Sequence, residues 1–193
     1  MTQNKVLITG SNRGLGKALS HKFDLEGYSV IEHKGSQHFN LSNYDQILSL
    51  SEFVKNQNVK ILVNNAAIVC PNLDFCDYSP QLIYDMISVN LTAPIILSNM
   101  LCNNLTNIIN INSMVGLEIK PKRTLYSASK WGLRGFSNSL KKEQKGVKIL
   151  DVYPTNIQTY PERINSMNLD YVVREIYTAF IGGKEELILD GRK

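Results

Sequence analysis

The residues Thr9-Gly10-Ser11-Asn12-Arg13-Gly14-Leu15-Gly16 follow the apolar run Val6-Leu7-Ile8 and open a helical segment that starts near Arg13. Glycines take the positive backbone angles of a tight turn, and with no side chain they let backbone N–H groups approach an anion at the positive end of a helix. A glycine cluster by itself is as often an ordinary turn. The strand, turn and helix in succession make this one a candidate pyrophosphate site.

Outward from the turn the chain alternates. Apolar runs suited to buried strands recur at Val6 to Thr9, Ser29 to Glu32, Lys60 to Asn64, Asn107 to Asn112 and Val147 to Tyr153, with a short closing run at Glu186 to Leu189. Helices are expected at about Arg13 to Glu26, Asn43 to Asn56, Ser79 to Asn103, Leu125 to Lys145 and Leu169 to Ile181. This pattern predicts an α/β fold with a mainly parallel sheet covered by helices on both faces. Ser79 and Pro80 suit the cap and first position of a helix, and Pro94 in the same segment predicts a kink. Only Lys34 to Gln37 separate the second strand from a short or irregular third strand expected at His38 to Leu41, so the helix between strands 2 and 3 is missing.

The 193 residues fit a single domain over 1–193 and leave too little chain for a separate catalytic domain or an eight-unit barrel. With 43% hydrophobic and 20% charged residues the chain can bury a sizeable core, which excludes disorder and fibrous repeats. No apolar run approaches the ~18 to 20 residues of a membrane span, and Met1 to Lys5 leave no room for a signal peptide. A cytoplasmic setting without a membrane partner is expected. Cys70, Cys76 and Cys102 complete no metal-ligand pattern; they read as reduced, partly buried thiols, and no metal site is expected. A net charge of +4 suits an anionic ligand but is too mild to indicate nucleic acid, and Lys141, Lys142, Lys145 and Lys148 read as a solvated face near a helix end.

Further elements follow the glycine turn in order. Asn64-Asn65-Ala66-Ala67 closes a strand, Asn90 lies in the third helical segment, and Ser113 ends Ile111-Asn112-Ser113. Tyr126-Ser127-Ala128-Ser129-Lys130 and Pro154-Thr155-Asn156-Ile157-Gln158-Thr159 complete the series. Together with the Gly10-x3-Gly14-x-Gly16 spacing, these resemble the TGxxxGxG, NNAG, structural-asparagine, catalytic-serine, YxxxK and PGx(V/I)xT elements of the short-chain dehydrogenase/reductase family, over Thr9 to Thr159. The resemblance implies a Rossmann-like doubly wound parallel sheet. Ala67 and Thr155 stand where the family has glycine, and either crowds a cofactor or merely alters a turn.

Tyr126 and Lys130, four apart, share one face of a helix. An ammonium beside a phenol of ordinary pKa about 10 favours the phenolate, so the pair can exchange a proton. The resemblance implies that Ser113 polarises a carbonyl, that Tyr126 moves the proton, and that Lys130 tunes Tyr126 and contacts the nicotinamide ribose. Asn90 would hold a water that links Lys130 to solvent. The implied reaction is hydride transfer between a nicotinamide and a small-molecule carbonyl or secondary alcohol. Cofactor contacts are expected from Gly10, Ser11, Asn12, Arg13, Gly14, Leu15, Gly16, Asn64, Ala66, Tyr126, Lys130, Pro154, Ile157 and Thr159, with Lys34, Asn40 and Leu41 at the adenine end.

An acidic residue after the second strand holds a ribose 2'-hydroxyl, whereas a basic one accommodates a 2'-phosphate. Lys34 occupies that position and Arg13 can reach the same phosphate, which favours NADP(H) over NAD(H). In the competing reading Glu32 binds the ribose diol and both cations face solvent. Asn40 replaces the acid of the family's Asp-Leu-Ser element. His21, His33 and His38 are scattered and are assigned neither to catalysis nor to a metal; Trp131 reads as a core or helix-interface residue. Tyr160 is marked because it follows the nicotinamide element.

A rival reading is a catalytically weak or silent NADP(H)-binding sensor or scaffold of the same fold. The resemblance also implies a homodimer or homotetramer through the helices near 79–103 and 125–145. Family members commonly run to about 250 residues. The deficit here falls between Glu32 and His38 and in the tract Thr159 to Leu169, where the family places a substrate-covering lid, so an open site is expected.

Overall fold

Strand β1 (Lys5–Thr9) explains the layering: Val6, Leu7 and Ile8 are all fully buried. Successive strand side chains point to opposite faces, so burying all three requires cover on each side. Val6 and Ile8 pack with Leu15, Leu19 and Phe23 of α1 (Gly14–Leu25) and with Val172 and Ile176 of α6 (Leu169–Ile181). Leu7 packs on the other face with Ile47, Leu50 and Val54 of α2 (Tyr44–Lys55) and with Ala93, Leu97 and Leu101 of α4 (Ala93–Leu101). The computed structural model describes residues 4–69, 72–159 and 164–192.

The other strands are β2 (Ser29–His33), β3 (Val59–Asn64), β4 (Asn107–Ile111), β5 (Lys148–Pro154) and β6 (Glu186–Leu189). All pair in parallel, in the order β2-β1-β3-β4-β5-β6. The chain leaves β1 for β2 on one side and returns to β3 on the other. That reversal opens a crevice at the carboxyl ends of β1 and β3, the usual ligand position in such sheets. This is the Rossmann-like doubly wound fold.

The link from β2 to α2 differs from expectation. No strand forms at His38 to Leu41; residues 34–43 are turns and irregular backbone, with Gly35 at φ +96° and its carbonyl accepting from the N–H groups of His38 and Phe39. Four residues are too few to carry the chain across to a new parallel position. Helix and strand are therefore both absent here, and β2 is a sheet edge.

The third helical segment is one run of 22 residues, Pro80–Leu101, made of α3 (Pro80–Ile87), a wide π turn (Ser88–Thr92) and α4. Ser79 caps it by accepting from the N–H of Leu82 at 3.2 Å. Pro94 has no N–H to offer the carbonyl of Asn90, and the wide turn falls just before it. Contrary to the sequence expectation, this run is long and apolar enough to cross a membrane; its Ala93, Leu97 and Leu101 pack into the core beside the sheet.

Three further expectations are corrected. Lys141 of α5 (Thr124–Glu143) is not solvated: its Nζ bonds the buried Asp151 Oδ2 at 2.8 Å and the carbonyl of Glu185 at 2.9 Å. Trp131 is 43% exposed and so not a core residue of this chain, because it lies one residue round the helix from the inward Lys130, and it stacks under the Arg134 guanidinium. Cys76 and Cys102 are exposed rather than partly buried, while Cys70 and Tyr160 lie outside the described residues.

Candidate active site

The glycine turn is shaped from beneath by Asn65. Its side-chain amide donates to the carbonyls of Thr9 and Gly10 at 2.8 and 3.1 Å. The buried Thr9 hydroxyl donates to the carbonyl of Val63 and accepts from the N–H groups of Asn65 and Ala66. Gly10 (φ +68°) and Gly14 (φ +53°) adopt the left-handed backbone that the turn requires. Gly16 leaves no room for a side chain, since a Cβ would fall 2.2 Å from the Gly10 carbonyl oxygen. Arg13 at the helix start makes no side-chain cap, and no acid occupies the first turn of α1. That helix end therefore presents its positive pole to the crevice without internal neutralisation.

A cleft of about 1110 Å³ runs from this turn across the carboxyl ends of the strands. It brings together Gly10, Asn12, Arg13, Gly14, Leu15 and Gly16, then Lys34, Asn40, Leu41 and Ala66, and at its far end Ser113, Tyr126, Lys130, Pro154, Ile157 and Thr159. Ser11, Asn64 and Asn90 do not line it. The Ser11 hydroxyl is buried on the carbonyl of His33, and Asn64 donates to Asn110 inside the sheet at 2.8 Å.

At the end of the cleft beside β2, Lys34 pairs with Glu32 at 3.1 Å, and Glu32 is absent from the cleft wall. Asn40 braces its own loop: its Oδ1 accepts from the N–H and hydroxyl of Ser42 at 3.0 and 2.9 Å. Ala67 is exposed and lines the cleft.

At the other end of the cleft, Ser113 follows β4 and caps the single turn Met114–Gly116, its Oγ accepting from the N–H of Val115 at 3.4 Å. That leaves its hydroxyl hydrogen to donate elsewhere. Tyr126 and Lys130 face inward from α5, 8% and 2% exposed. Lys130 Nζ donates to the carbonyl of Ile111 at 2.8 Å, and burial pushes its pKa down from 10.5 to about 8. The Asn90 side chain is a brace. It exchanges two hydrogen bonds with the backbone of Ile68, at 2.8 and 3.0 Å, and donates to Ser129, whose hydroxyl bonds the Tyr126 carbonyl. The π turn thus fixes the loop after β3 against the helix that carries Tyr126.

Thr155, in place of a family glycine, has a structural task. Its hydroxyl accepts from the N–H of Gly191 at 2.9 Å, which draws the segment after β6 over the cleft. There Arg192 forms a fork on Glu118 at 2.9 and 2.7 Å and lines the cleft with Lys120 and Arg123.

Sequence reasoning missed that rim, and it missed His33, whose buried imidazole bonds Gly10 and Phe39. A signal for His33 was present: it directly follows the apolar run of β2, at the strand end that faces the crevice.

A family model described as short chain dehydrogenase matches residues 34–167. A 3-oxoacyl-[acyl-carrier-protein] reductase of Haemophilus influenzae is 34% identical over 184 residues, covering 81% of this chain and 76% of its own. The bulky-bulky ketone specific alcohol dehydrogenase from Comamonas testosteroni has a similar structure at 20% identity, with a TM-score of 0.88, covering 97% of this chain and 86% of that one. A Sphingobium yanoikuyae short-chain dehydrogenase in complex with NADPH, also 20% identical, gives a TM-score of 0.83 over 96% and 87%. At that identity the two structures establish the fold.

Proposed function

Because the chain belongs to the short-chain dehydrogenase/reductase family, we propose that it is an NADP(H)-dependent oxidoreductase that reduces a carbonyl group to a secondary alcohol. The observation that carries this reading is the convergence of Ser113, Tyr126 and Lys130 on the cleft that begins at the glycine turn.

The cleft fits a dinucleotide. An uncapped helix start and the glycine backbone would hold the pyrophosphate, Lys34 and Arg13 a 2'-phosphate, and Ile157 and Thr159 the nicotinamide end. Lys34 and Arg13 line the cleft and Glu32 does not, which favours a phosphate over a ribose diol at the end of β2. The reduced nicotinamide, when bound, supplies the hydride. Ser113 would donate a hydrogen bond to the substrate oxygen, and Tyr126 would give it a proton as negative charge develops there. The buried Lys130 ammonium stabilises the resulting phenolate, and Asn90 acts by keeping the loop after β3 in register with α5.

The similarity to 3-oxoacyl-carrier-protein reductases makes a 3-oxoacyl thioester the first substrate class to test. NADPH consumption is to be measured with acetoacetyl thioesters, bulky ketones and small aldehydes. Turnover of a carbonyl in that panel supports the reading; tight NADPH binding without turnover on any of them favours a sensor or scaffold instead. The exposed Ile83 and Tyr84 on α3 and Trp131 on α5 would serve self-association, to be checked by mass in solution.

A further inference from the structure

His33 ends β2 with 2% of its surface exposed. Its ring sits between two backbone groups: Nδ1 accepts from the N–H of Gly10 at 3.2 Å, and Nε2 donates to the carbonyl of Phe39 at 2.7 Å. A backbone N–H can only donate, so Nδ1 carries the lone pair and Nε2 the proton. The carbonyl of the same residue accepts from the N–H of Ser11 at 3.0 Å and from its hydroxyl at 3.2 Å. One residue thereby fastens the first glycine of the phosphate turn to the shortened link that carries Lys34 and Asn40.

We propose that neutral His33 is a positioning residue for the cofactor: it holds the glycine turn and the 34–43 link at one fixed separation, and protonation of its ring releases Gly10 and weakens NADPH binding. The inference rests on the cofactor reading above. An imidazolium has two donors and no acceptor, so the Gly10 N–H would face another N–H and lose its partner on the ring.

The titratable and charged groups around the ring come from three elements. His38 of the link lies parallel, with 6.5 Å between ring centres; Lys34 follows directly in the chain and is paired with Glu32 of β2; Arg13 stands on the glycine turn along the same cleft. Of these, His38 is the one that acts on the ring's charge, and it opposes a proton on His33. Burial holds the His33 pKa below its ordinary value; the Phe39 carbonyl pulls the other way, and His38 adds to the lowering. The folded-state pKa is therefore below the unfolded one, so the stability that neutral His33 contributes is present above about pH 6.5 and is lost as pH falls.

The test is the NADPH dissociation constant of the wild type, His33→Asn and His33→Leu across about pH 5 to 8. Asparagine keeps an acceptor near the Nδ1 position and does not titrate. His33→Asn should bind within about threefold of the wild type at the alkaline end, and His33→Leu about tenfold or more weakly at every pH, because leucine loses both ring hydrogen bonds. On acidification the wild type should lose affinity relative to His33→Asn by about fivefold or more. Ionisation of the 2'-phosphate is common to both proteins and cancels in that ratio. A ratio that stays flat, or wild-type binding that tightens in acid relative to His33→Asn, overturns the proposal. Ring-nitrogen chemical shifts of the wild type supply a readout that needs no variant: the Nε2–H tautomer is expected, and an Nδ1–H tautomer overturns the proposal. A folded wild type that binds neither NADPH nor NADH refutes the functional reading and this inference together, whereas binding with a flat ratio refutes this inference alone.

Discussion

Lys130 places its ammonium 5.7 Å from the centre of the Tyr126 ring while donating to the carbonyl of Ile111 at 2.8 Å. Burial lowers its pKa to about 8, so the side chain is charged at neutrality and loses that charge in mildly alkaline solution. Once neutral it no longer favours a phenolate on Tyr126. The expected outcome is an alkaline limb near pH 8 in kcat/KM for carbonyl reduction at saturating NADPH; a profile without inflection from about pH 7 to 9 contradicts it. Folding responds with its own sign. Between about 8 and the unfolded value near 10.5 the unfolded chain binds more protons, so the Lys130 contribution to stability grows with pH through that window and is lost below it.

Replacing Tyr126 with phenylalanine removes the proposed proton donor and keeps the ring that packs with Val115 and Leu125. Turnover should fall by about 10²- to 10⁴-fold, with the NADPH dissociation constant changed by no more than about threefold. Steady-state rates and a binding titration on the same preparation check both halves. Wild-type turnover in Tyr126→Phe sinks the assignment.

The Glu32–Lys34 pair gives a test of cofactor choice. NADPH should bind about tenfold or more tightly than NADH, and the double variant Lys34→Ala/Arg13→Ala should bring the two together. Glu32→Gln should leave NADH affinity unchanged, because Glu32 does not line the cleft. Weakened NADH binding in Glu32→Gln would instead place a ribose diol on that carboxylate.

Gly16→Ala should damage both fold and cofactor binding. The new methyl would meet the Gly10 carbonyl oxygen at 2.2 Å and the Asn65 amide at 2.4 Å, both of which shape the turn. A loss of about 1–3 kcal/mol in denaturant unfolding is expected, together with lost NADPH affinity. Gly135→Ala is the control: it is exposed on α5 with nothing within 4 Å, and it should gain up to about 1 kcal/mol from helix propensity.

Much of this was legible in the sequence because it is local. Val6-Leu7-Ile8 has no polar side, so it announces a strand covered on both faces; Tyr126 and Lys130 are one helical turn apart, so their meeting is fixed by spacing. Asn65 and Thr9, 56 positions apart, meet only through the β1–β3 pairing, and no local pattern encodes that bond. The same holds for His33 on Gly10 and for Lys141 on Asp151, where a residue that reads as bland or solvated finds a distant partner. The strand expected at His38 to Leu41 failed for the opposite reason: its local composition suits a strand, but the four-residue link cannot deliver it to a pairing position.

The fork between Arg192 and Glu118, with Asp190 also on the Arg192 guanidinium, is a clasp made of three charges at the surface. Exposed pairs of this kind hold weakly, and mobile ions screen them over a Debye length of about 10 Å at 0.1 M salt. The far bank of the cleft is therefore tethered through Thr155 at its root and by screened attraction at its tip. Raising the ionic strength is therefore expected to loosen the tip of that bank while leaving the Thr155 bond at its root, separate from any proton moved at Tyr126.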